Sequence, residues 1–305
     1  MGRNMKDFIL KCEDALAFSK NLSDNSIKLI ITSPPYNIGK SYEKRTSISE
    51  YIENFLPTLK ELVRVLKDDG SICWQVGNYV QNGEVYPLDI FFYNCFKELG
   101  LKLRNRIIWH FGHGLHCQKR FSGRYETILW FSKTDNYTFN LDNVRIPSKY
   151  PSKRHFKGEK KGQLSGNPKG KNPEDLWELT LNKLYDDWEK EIWEIPNVKA
   201  NHPEKLEHPC QYPVELAERL VIALSNENDI IYDPFAGVAS TIIAGLKNDR
   251  IAYGTDLSDK YIHIGLDRIR KLKNNELLLR PIYKEVYKPL PNNKLAQIPS
   301  EWLAL

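Results

Sequence analysis

The chain has 305 residues, which is long enough to bury one large hydrophobic core, with or without an inserted region. Its composition, 41% hydrophobic and 27% charged, is typical of a globular protein, and the net charge of +5 by itself indicates no class of partner. Five scattered cysteines without a CxxC pair argue against a disulfide framework and against a zinc site. With no long apolar run and no apolar leader at the N-terminus, the sequence predicts a soluble cytoplasmic protein.

Short apolar strands alternate with amphipathic helices through the first 139 residues. Strands are predicted at 8–11, 27–31, 71–76, 106–110 and 126–131, and helices at 15–20, 48–66 and 87–99. This alternation predicts an α/β fold with a doubly wound, mostly parallel sheet.

The rhythm breaks between residues 140 and 207, where Pro, Gly, Lys, Asn and Trp are frequent, and we interpret this segment as an irregular insertion. Regular elements resume at 208–272, with helices predicted at 213–224, 240–246 and 260–272 and strands at 229–232 and 251–254. The proline-rich tail at 273–305 is predicted to cover the surface or to contact a partner. A small core of the insertion is predicted from Trp177, Trp188, Trp193, Leu179, Leu181 and Leu184.

The sequence Asp-Pro-Phe-Ala-Gly at 233–237 follows one predicted strand and precedes a helix. A glycine at such a turn lets the backbone approach a ligand closely. The next strand leads to Asp256, where a carboxylate can accept hydrogen bonds from both hydroxyls of a ribose. These features are typical of a nucleoside-cofactor site, although ordinary strand–helix turns share them singly. They do not separate a dinucleotide from S-adenosylmethionine.

A second motif, Ser33-Pro-Pro-Tyr36, lies at the carboxyl end of the strand at 27–31. Two prolines make the turn stiff and offer carbonyls without N–H groups. If Ser33 Oγ and the Pro34 carbonyl accept the two N–H bonds of an exocyclic amine, its nitrogen becomes tetrahedral and its lone pair can face a methyl donor. Tyr36 can stack on a base extruded from a duplex.

Together these residues resemble the DNA amino methyltransferases, which methylate adenine N6 or cytosine N4. The tetrapeptide comes first and the cofactor turn last, which resembles the circularly permuted β group of that family. Protein-glutamine methyltransferases and most RNA amino methyltransferases carry the cofactor turn first. The resemblance implies S-adenosylmethionine as the methyl donor, double-stranded DNA as the partner and a target-recognition region at 140–207. Because the donor is a sulfonium, it implies no metal.

The resemblance also assigns roles to single residues. Catalysis would fall to Ser33, Pro34, Pro35 and Tyr36, with Ser33 also close to the cofactor. Asp14 would lie near the cofactor's adenine, and Asp233 would hold its amino group. The remaining predicted cofactor contacts are His208, Gln211, Pro213, Phe235, Ala236, Gly237 and Asp256.

Two positions depart from the family pattern. Ala239 stands where the cofactor turn usually has a second glycine, which puts the tightness of that turn in question. Ser33 begins the tetrapeptide where aspartate is the alternative, and serine in a β-ordered member favours cytosine N4 over adenine N6. Either side chain can accept one hydrogen of either amine, so chemistry alone leaves both bases open.

Between residues 145 and 171, nine lysines and arginines accompany a single acid, Glu159. Such a stretch fits contacts with phosphates, although lysine-rich loops are also common on solvated surfaces. A glycine-rich loop with His113, His116 and Cys117 lacks the further ligands of a metal site. The predicted DNA contacts are Arg120, Arg124, Lys149, Lys153, Arg154, Lys157, Lys160 and Lys161.

Three classes of function remain open at this point. The first is a DNA amino methyltransferase, either an orphan or one paired with a restriction endonuclease, and able to dimerise. The second is a methyltransferase that acts on an RNA base or a protein amide. The third is a non-catalytic DNA-binding protein of the same fold, against which the intact Ser33, Tyr36, Asp233 and Asp256 argue.

Overall fold

The computed structural model describes residues 7–40, 43–111, 116–148, 150–178, 198 and 202–280. His113, Lys149, the predicted core residues of the insertion beyond 178, and the tail beyond 280 lie outside these ranges. The described elements are β1 (Phe8–Cys12), α1 (Ala15–Lys20), β2 (Ile27–Thr32), α2 (Ile48–Val65), β3 (Leu66–Val76), β4 (Asn78–Gln81), β5 (Glu84–Pro87), α3 (Leu88–Glu98), β6 (Lys102–His110), β7 (Tyr125–Ser132), α4 (Leu141–Val144), β8 (Leu176–Glu178), α5 (Val214–Leu224), β9 (Ile230–Asp233), α6 (Ser240–Lys247), β10 (Ile251–Asp256) and α7 (Asp259–Lys273).

Eight strands form one sheet in the order β1-β10-β9-β2-β3-β7-β6-β8. Each pairing is parallel except those of β7, which runs antiparallel to both β3 and β6. From β9 the chain continues to β10 on one side, whereas from β2 it continues to β3 on the other. The winding direction therefore changes between β9 and β2, and in such sheets ligands bind in the crevice at the carboxyl ends of that strand pair. The predicted doubly wound α/β fold is confirmed.

Helices cover both faces of the sheet, and the central strand β2 shows why its sequence is apolar. All six of its residues are buried. Leu29 and Ile31 pack in the core cluster that includes α5, α6 and α7, whereas Ile30 packs in the cluster that includes α1, α2 and α3. A strand covered on both faces has no solvated side for polar residues. The two polar side chains of β2 have partners inside the protein: Lys28 forms an ion pair with Asp69 at 2.5 Å, and the Thr32 hydroxyl donates to Asp233 at 2.6 Å.

The insertion differs from the prediction in one respect. Its strand β8 pairs with β6 and extends the main sheet. Trp177 accordingly packs with Ile107 and Trp109 in the large core cluster, so the prediction that it belongs to a separate small core was wrong. Outside the insertion, the hairpin of β4 and β5 was not predicted either.

Buried charges tie the segment before α5 to the rest of the domain. The Glu204 carboxylate accepts hydrogen bonds from the backbone N–H groups of Val214, at 2.9 Å, and Arg280, at 3.3 Å. The Arg280 guanidinium also pairs with Glu215 at 2.5 Å, and all three charged side chains are buried. These contacts hold the beginning of the tail against the helix that follows residues 208–213. Within the described ranges, no helix has both the length and the apolarity to cross a membrane.

Candidate active site

A cavity of about 550 Å³ opens at the carboxyl ends of β1, β10, β9 and β2, where the winding direction changes. Its size lies within the range of about 300–1,000 Å³ that is usual for small-molecule sites. Both predicted motifs contribute to its wall. The lining residues are Glu13, Asp14, Ala15, Ser33, Pro34, Pro35, Tyr36, His208, Cys210, Gln211, Tyr212, Pro234, Phe235, Ala236, Gly237, Val238, Ser240, Asp256, Leu257, Ser258, Lys260 and Tyr261.

Asp233 connects the two motifs from behind the cavity wall. Its carboxylate accepts hydrogen bonds from the Thr32 hydroxyl at 2.6 Å, the Tyr212 hydroxyl at 2.9 Å and the Phe235 N–H at 3.1 Å. The side chain is fully buried, and burial raises the pKa of Asp233 to about 6. Of the predicted cofactor contacts, all line the cavity except Asp233 and Pro213. This placement differs from the predicted direct contact of Asp233 with the cofactor, because its acceptors are directed at protein donors.

The turn after β9 uses its own amide groups internally. The N–H of Phe235 donates to Asp233, that of Ala236 to the Thr255 carbonyl at 2.8 Å, and that of Gly237 to the Asp256 carboxylate at 2.9 Å. Phosphate-binding turns instead direct such N–H groups at the ligand. The amides of Phe235, Ala236 and Gly237 are therefore already committed within the protein, which argues against a pyrophosphate in this turn.

Two residues fix the shape of that turn. Gly237 has φ of +49°, and a Cβ there would lie 3.1 Å from Nε2 of His208. Ala239 has φ of +68° and ψ of +34°, a left-handed conformation that usually requires glycine. The backbone at position 239 therefore adopts the left-handed conformation with alanine instead of a second glycine.

Carboxylates dominate the charged lining of the cavity. Asp256 accepts hydrogen bonds from the N–H groups of Gly237 and Ser258, and burial raises its pKa. Asp14 caps α1 by accepting from the Ala17 N–H at 2.9 Å. Together with Glu13 they bring three acids to the wall, against one lysine, which pairs with Glu207 at 2.6 Å. Such a lining favours a cationic ligand over an anionic one.

His208 and Gln211 reach the same cavity from the segment before α5. The His208 ring packs on Tyr261 at 4.5 Å between centroids, and burial lowers the pKa of His208 to about 4, so the ring is neutral at physiological pH. The Gln211 amide donates to the Glu204 carbonyl at 2.8 Å. His208 and Gln211 thus line the cavity, and their contact with a cofactor stays a prediction.

The tetrapeptide after β2 lines the same cavity. The Tyr51 hydroxyl donates to the Pro35 carbonyl at 2.5 Å, which fixes the turn to α2. The Tyr36 hydroxyl lies 2.7 Å from Ser33 Oγ, and the buried Tyr36 ring packs over Gly77, where a Cβ would lie 3.1 Å from the ring. Ser33, Pro34, Pro35 and Tyr36 all line the cavity.

Two further polar residues adjoin this turn and were not predicted. Glu126 on β7 accepts a hydrogen bond from the Tyr36 hydroxyl at 3.3 Å and another from the Gln75 amide on β3 at 2.6 Å. Burial raises the pKa of Glu126, while these two hydrogen bonds oppose the shift. A single acid at the start of an apolar strand gives no indication in the sequence of which neighbour it meets.

The predicted DNA-contacting residues that the structure describes lie on two surface segments. Arg120 and Arg124 lie between β6 and β7; because β6 is parallel to β2, this connection leaves the sheet at the same edge as Ser33. In the other segment, the bridge between Arg154 and Leu164 closes a hairpin with an exposed Phe156. Four exposed lysines there form no ion pair with any residue within the described ranges: Lys153, Lys157, Lys160 and Lys161.

A family model of DNA methylases, the N6 and N4 amino methylases, matches residues 27–267. The chain belongs to this family. A relative of this methylase is the type II methyltransferase M.BglII of Bacillus subtilis, 44% identical over 252 residues, which are 82% of this chain and 66% of that protein. The methylase therefore spans slightly less than two thirds of that relative's length.

Solved structures show the same fold. The PvuII DNA methyltransferase, described as cytosine-N4-specific, superposes with a TM-score of 0.63 at 19% identity, covering 89% of this methylase and 93% of that chain. A DNA modification methylase of Thermus thermophilus in complex with S-adenosyl-L-methionine superposes with a TM-score of 0.58 at 23% identity, covering 87% and 94%. In the described part of the methylase, no group of three or more His, Cys, Asp or Glu side chains is arranged to hold a metal ion.

Proposed function

We propose that this methylase transfers a methyl group from S-adenosylmethionine to the exocyclic amino group of a base flipped out of duplex DNA, with cytosine N4 as the target. One observation carries the proposal. The tetrapeptide and the acidic cofactor turn line a single cavity at neighbouring strands, and the hydrogen bond from Thr32 to Asp233 joins the two strand ends. A donor and an amine bound at these two walls would meet.

The lining fits S-adenosylmethionine better than a dinucleotide. The cofactor is a cation, the wall carries three acids, and turn amides that would hold a pyrophosphate are used within the protein. When bound, S-adenosylmethionine supplies a methyl group activated by its sulfonium. We assign Asp256 to the ribose hydroxyls, Asp14 to the adenine side, and His208 and Gln211 to the methionine end.

The tetrapeptide is suited to an amine. Ser33 and Pro34 line the cavity, and we propose that Ser33 Oγ and the Pro34 carbonyl accept hydrogen bonds from the two N–H groups of the target. Hydrogen bonding of both N–H groups to these acceptors favours a tetrahedral nitrogen. Its lone pair is then directed towards the methyl group of the donor. The Tyr36 ring, fixed on Gly77, provides a flat surface for the base.

Cytosine N4 is proposed because the tetrapeptide begins with Ser33, as in the permuted cytosine enzymes that the sequence resembles. Adenine N6 is the alternative, since both amines offer the same two hydrogens. The cytosine-N4-specific neighbour at 19% identity supports the fold and leaves the base open.

We propose that DNA phosphates are contacted by two segments. One is the hairpin closed by Arg154 and Leu164, with its exposed lysines, and the other is the β6–β7 connection that carries Arg120 and Arg124. Their exposed cations and the exposed Phe156 and Phe121 side chains suit a polyanion with stacked bases. M.BglII is named as a type II methyltransferase, so a restriction endonuclease of the same specificity is the proposed partner. A homodimer stays a prediction.

Tritiated methyl transfer tests the function. The purified protein is incubated with labelled S-adenosylmethionine and, in parallel, duplex DNA, RNA or a protein mixture. We expect label in duplex DNA. Label that enters only RNA or protein would overturn the proposal, and a calorimetric titration that detects no cofactor binding would favour the non-catalytic class instead.

A further inference from the structure

We propose that Glu126 is a positioning residue that sets the direction of the hydrogen bonds through Tyr36 and Ser33, so that Ser33 Oγ presents a lone pair to the target amine. The proposal rests on the proposed function of the same cavity and adds to it the group that makes Ser33 an acceptor.

The residues form a continuous chain across three strand ends. Ser33 follows β2, Gln75 belongs to β3 and Glu126 to β7. The Tyr36 hydroxyl lies 2.7 Å from Ser33 Oγ and 3.3 Å from Glu126 Oε2, and the latter atom is 2.6 Å from the Gln75 amide nitrogen. Gly77 leaves room for the arrangement, because a Cβ there would lie 3.1 Å from the Tyr36 ring and 3.5 Å from Glu126 Cγ.

The direction follows from counting hydrogens. In its ionised form the Glu126 carboxylate only accepts, and the single O–H of Tyr36 then has to donate to it. The Tyr36 oxygen can then accept the single O–H of Ser33, and Ser33 Oγ has no hydrogen left for a third group. What remains at Ser33 is a lone pair, which fits the N–H of an amine and repels a carbonyl oxygen.

The surroundings stabilise this arrangement. Burial raises the pKa of Glu126, and the hydrogen bonds from the Gln75 amide and the Tyr36 hydroxyl oppose that rise by favouring the ionised carboxylate. Burial together with the nearby Glu126 charge keeps the pKa of Tyr36 well above its ordinary value. Tyr36 therefore remains a donor throughout the working pH range. Glu126 does not line the cavity among the described residues, so we assign it no contact with the reacting atoms.

The test compares Glu126→Gln, Tyr36→Phe and the double variant, using a duplex that contains the methylation site found by sequencing. Glutamine keeps the size of Glu126 but can donate through its amide, which allows the whole chain to reverse. We expect kcat to fall by on the order of 100-fold, the loss typical for one preorganised hydrogen-bond partner, with the KM for S-adenosylmethionine unchanged. The double variant should be no slower than Tyr36→Phe alone, because without the hydroxyl there is no chain to direct.

A second readout separates positioning from a structural role. Wild type should bind a duplex with the amino base at the target position better than one with the deaminated base, uracil or hypoxanthine. Glu126→Gln should bring the ratio of the two affinities close to one. The matched control is Glu84→Gln, the same substitution at a carboxylate that accepts from a tyrosine hydroxyl, that of Tyr86 at 2.8 Å, on the separate β4–β5 hairpin. It should leave both readouts at wild-type values.

The outcomes are distinct. A wild type that methylates no DNA refutes the proposed function itself. With an active wild type, the inference is overturned by a Glu126→Gln variant of normal kcat, by a loss that multiplies with that of Tyr36→Phe, or by an unchanged affinity ratio.

Discussion

Replacing Asp233 tests which of two roles this residue has. Its carboxylate either stabilises the fold by accepting hydrogen bonds within the protein or contacts the cofactor directly. Substitution by alanine removes the acceptor of three donors, the hydroxyls of Thr32 and Tyr212 and the N–H of Phe235. Each buried donor left without a partner costs about 1–3 kcal/mol. Tyr212 keeps a neighbour in Thr241, which leaves two donors without a partner, so we expect the free energy of unfolding to fall by about 2–6 kcal/mol in total. That is a large share of the roughly 5–15 kcal/mol that stabilise a domain.

Asp233→Asn is the matched control. The amide oxygen can still accept from Thr32 and Phe235, so we expect little loss of stability at pH 7. Cofactor affinity should also stay close to wild type, because the carboxylate faces protein donors. Urea unfolding gives the stability, and calorimetric titration with S-adenosylmethionine gives the affinity. If Asp233→Asn is fully stable but binds the cofactor far more weakly, Asp233 contacts the cofactor directly and its assignment to a purely structural role is wrong.

The same pair predicts a pH dependence. The folded pKa of Asp233 is raised to about 6 from its ordinary value of 3.8, so the wild type gains stability when this group is protonated and loses it as pH rises from 4 to 6. Relative to wild type, Asp233→Asn should therefore become more stable over that interval by up to about 3 kcal/mol, measured by urea unfolding at each pH. Tyr36→Ala should abolish most methyl transfer while calorimetry shows nearly normal cofactor affinity; normal turnover with weak binding would contradict the assigned roles. Ala239→Val should destabilise the fold by at least about 2 kcal/mol in urea, because a β-branched side chain is strained at positive φ, whereas Ala239→Gly should be tolerated. Lys160→Ala with Lys161→Ala should lower the slope of log affinity against log salt by up to about 2 for duplex DNA, and an unchanged slope would remove these lysines from the interface.

The sheet and its switch point were predictable because they depend on patterns that the sequence displays. The apolar runs of β2 and β9 mark buried strands, and the polar turns after them had to lie at the same edge once the strands were parallel. The antiparallel direction of β7 was not predictable, since a buried strand is equally apolar in either direction. The short β8 was not predictable for a different reason: it has only three residues, which are too few to show a periodic pattern.

Within the site, the identities of the lining residues were predictable but their partners were not. Gly237 and Asp256 could be assigned from the strand–turn–helix pattern, and they line the cavity as expected. The direction of the Asp233 side chain depends on Thr32 and Tyr212, which lie 201 and 21 residues away in the chain. Glu126 meets Tyr36 across 90 residues, and only the folded sheet brings them together.

The most direct measurement of the central claim, that one cavity joins a methyl donor to a DNA amine, is single-molecule sequencing of DNA from cells that express the wild type or Ser33→Ala. We predict a methylated amino base, N4-methylcytosine, at every copy of one short sequence in the wild type and its loss in the variant. Unmodified DNA from cells with folded wild-type protein, or an equal level of the mark with Ser33→Ala, would contradict the account.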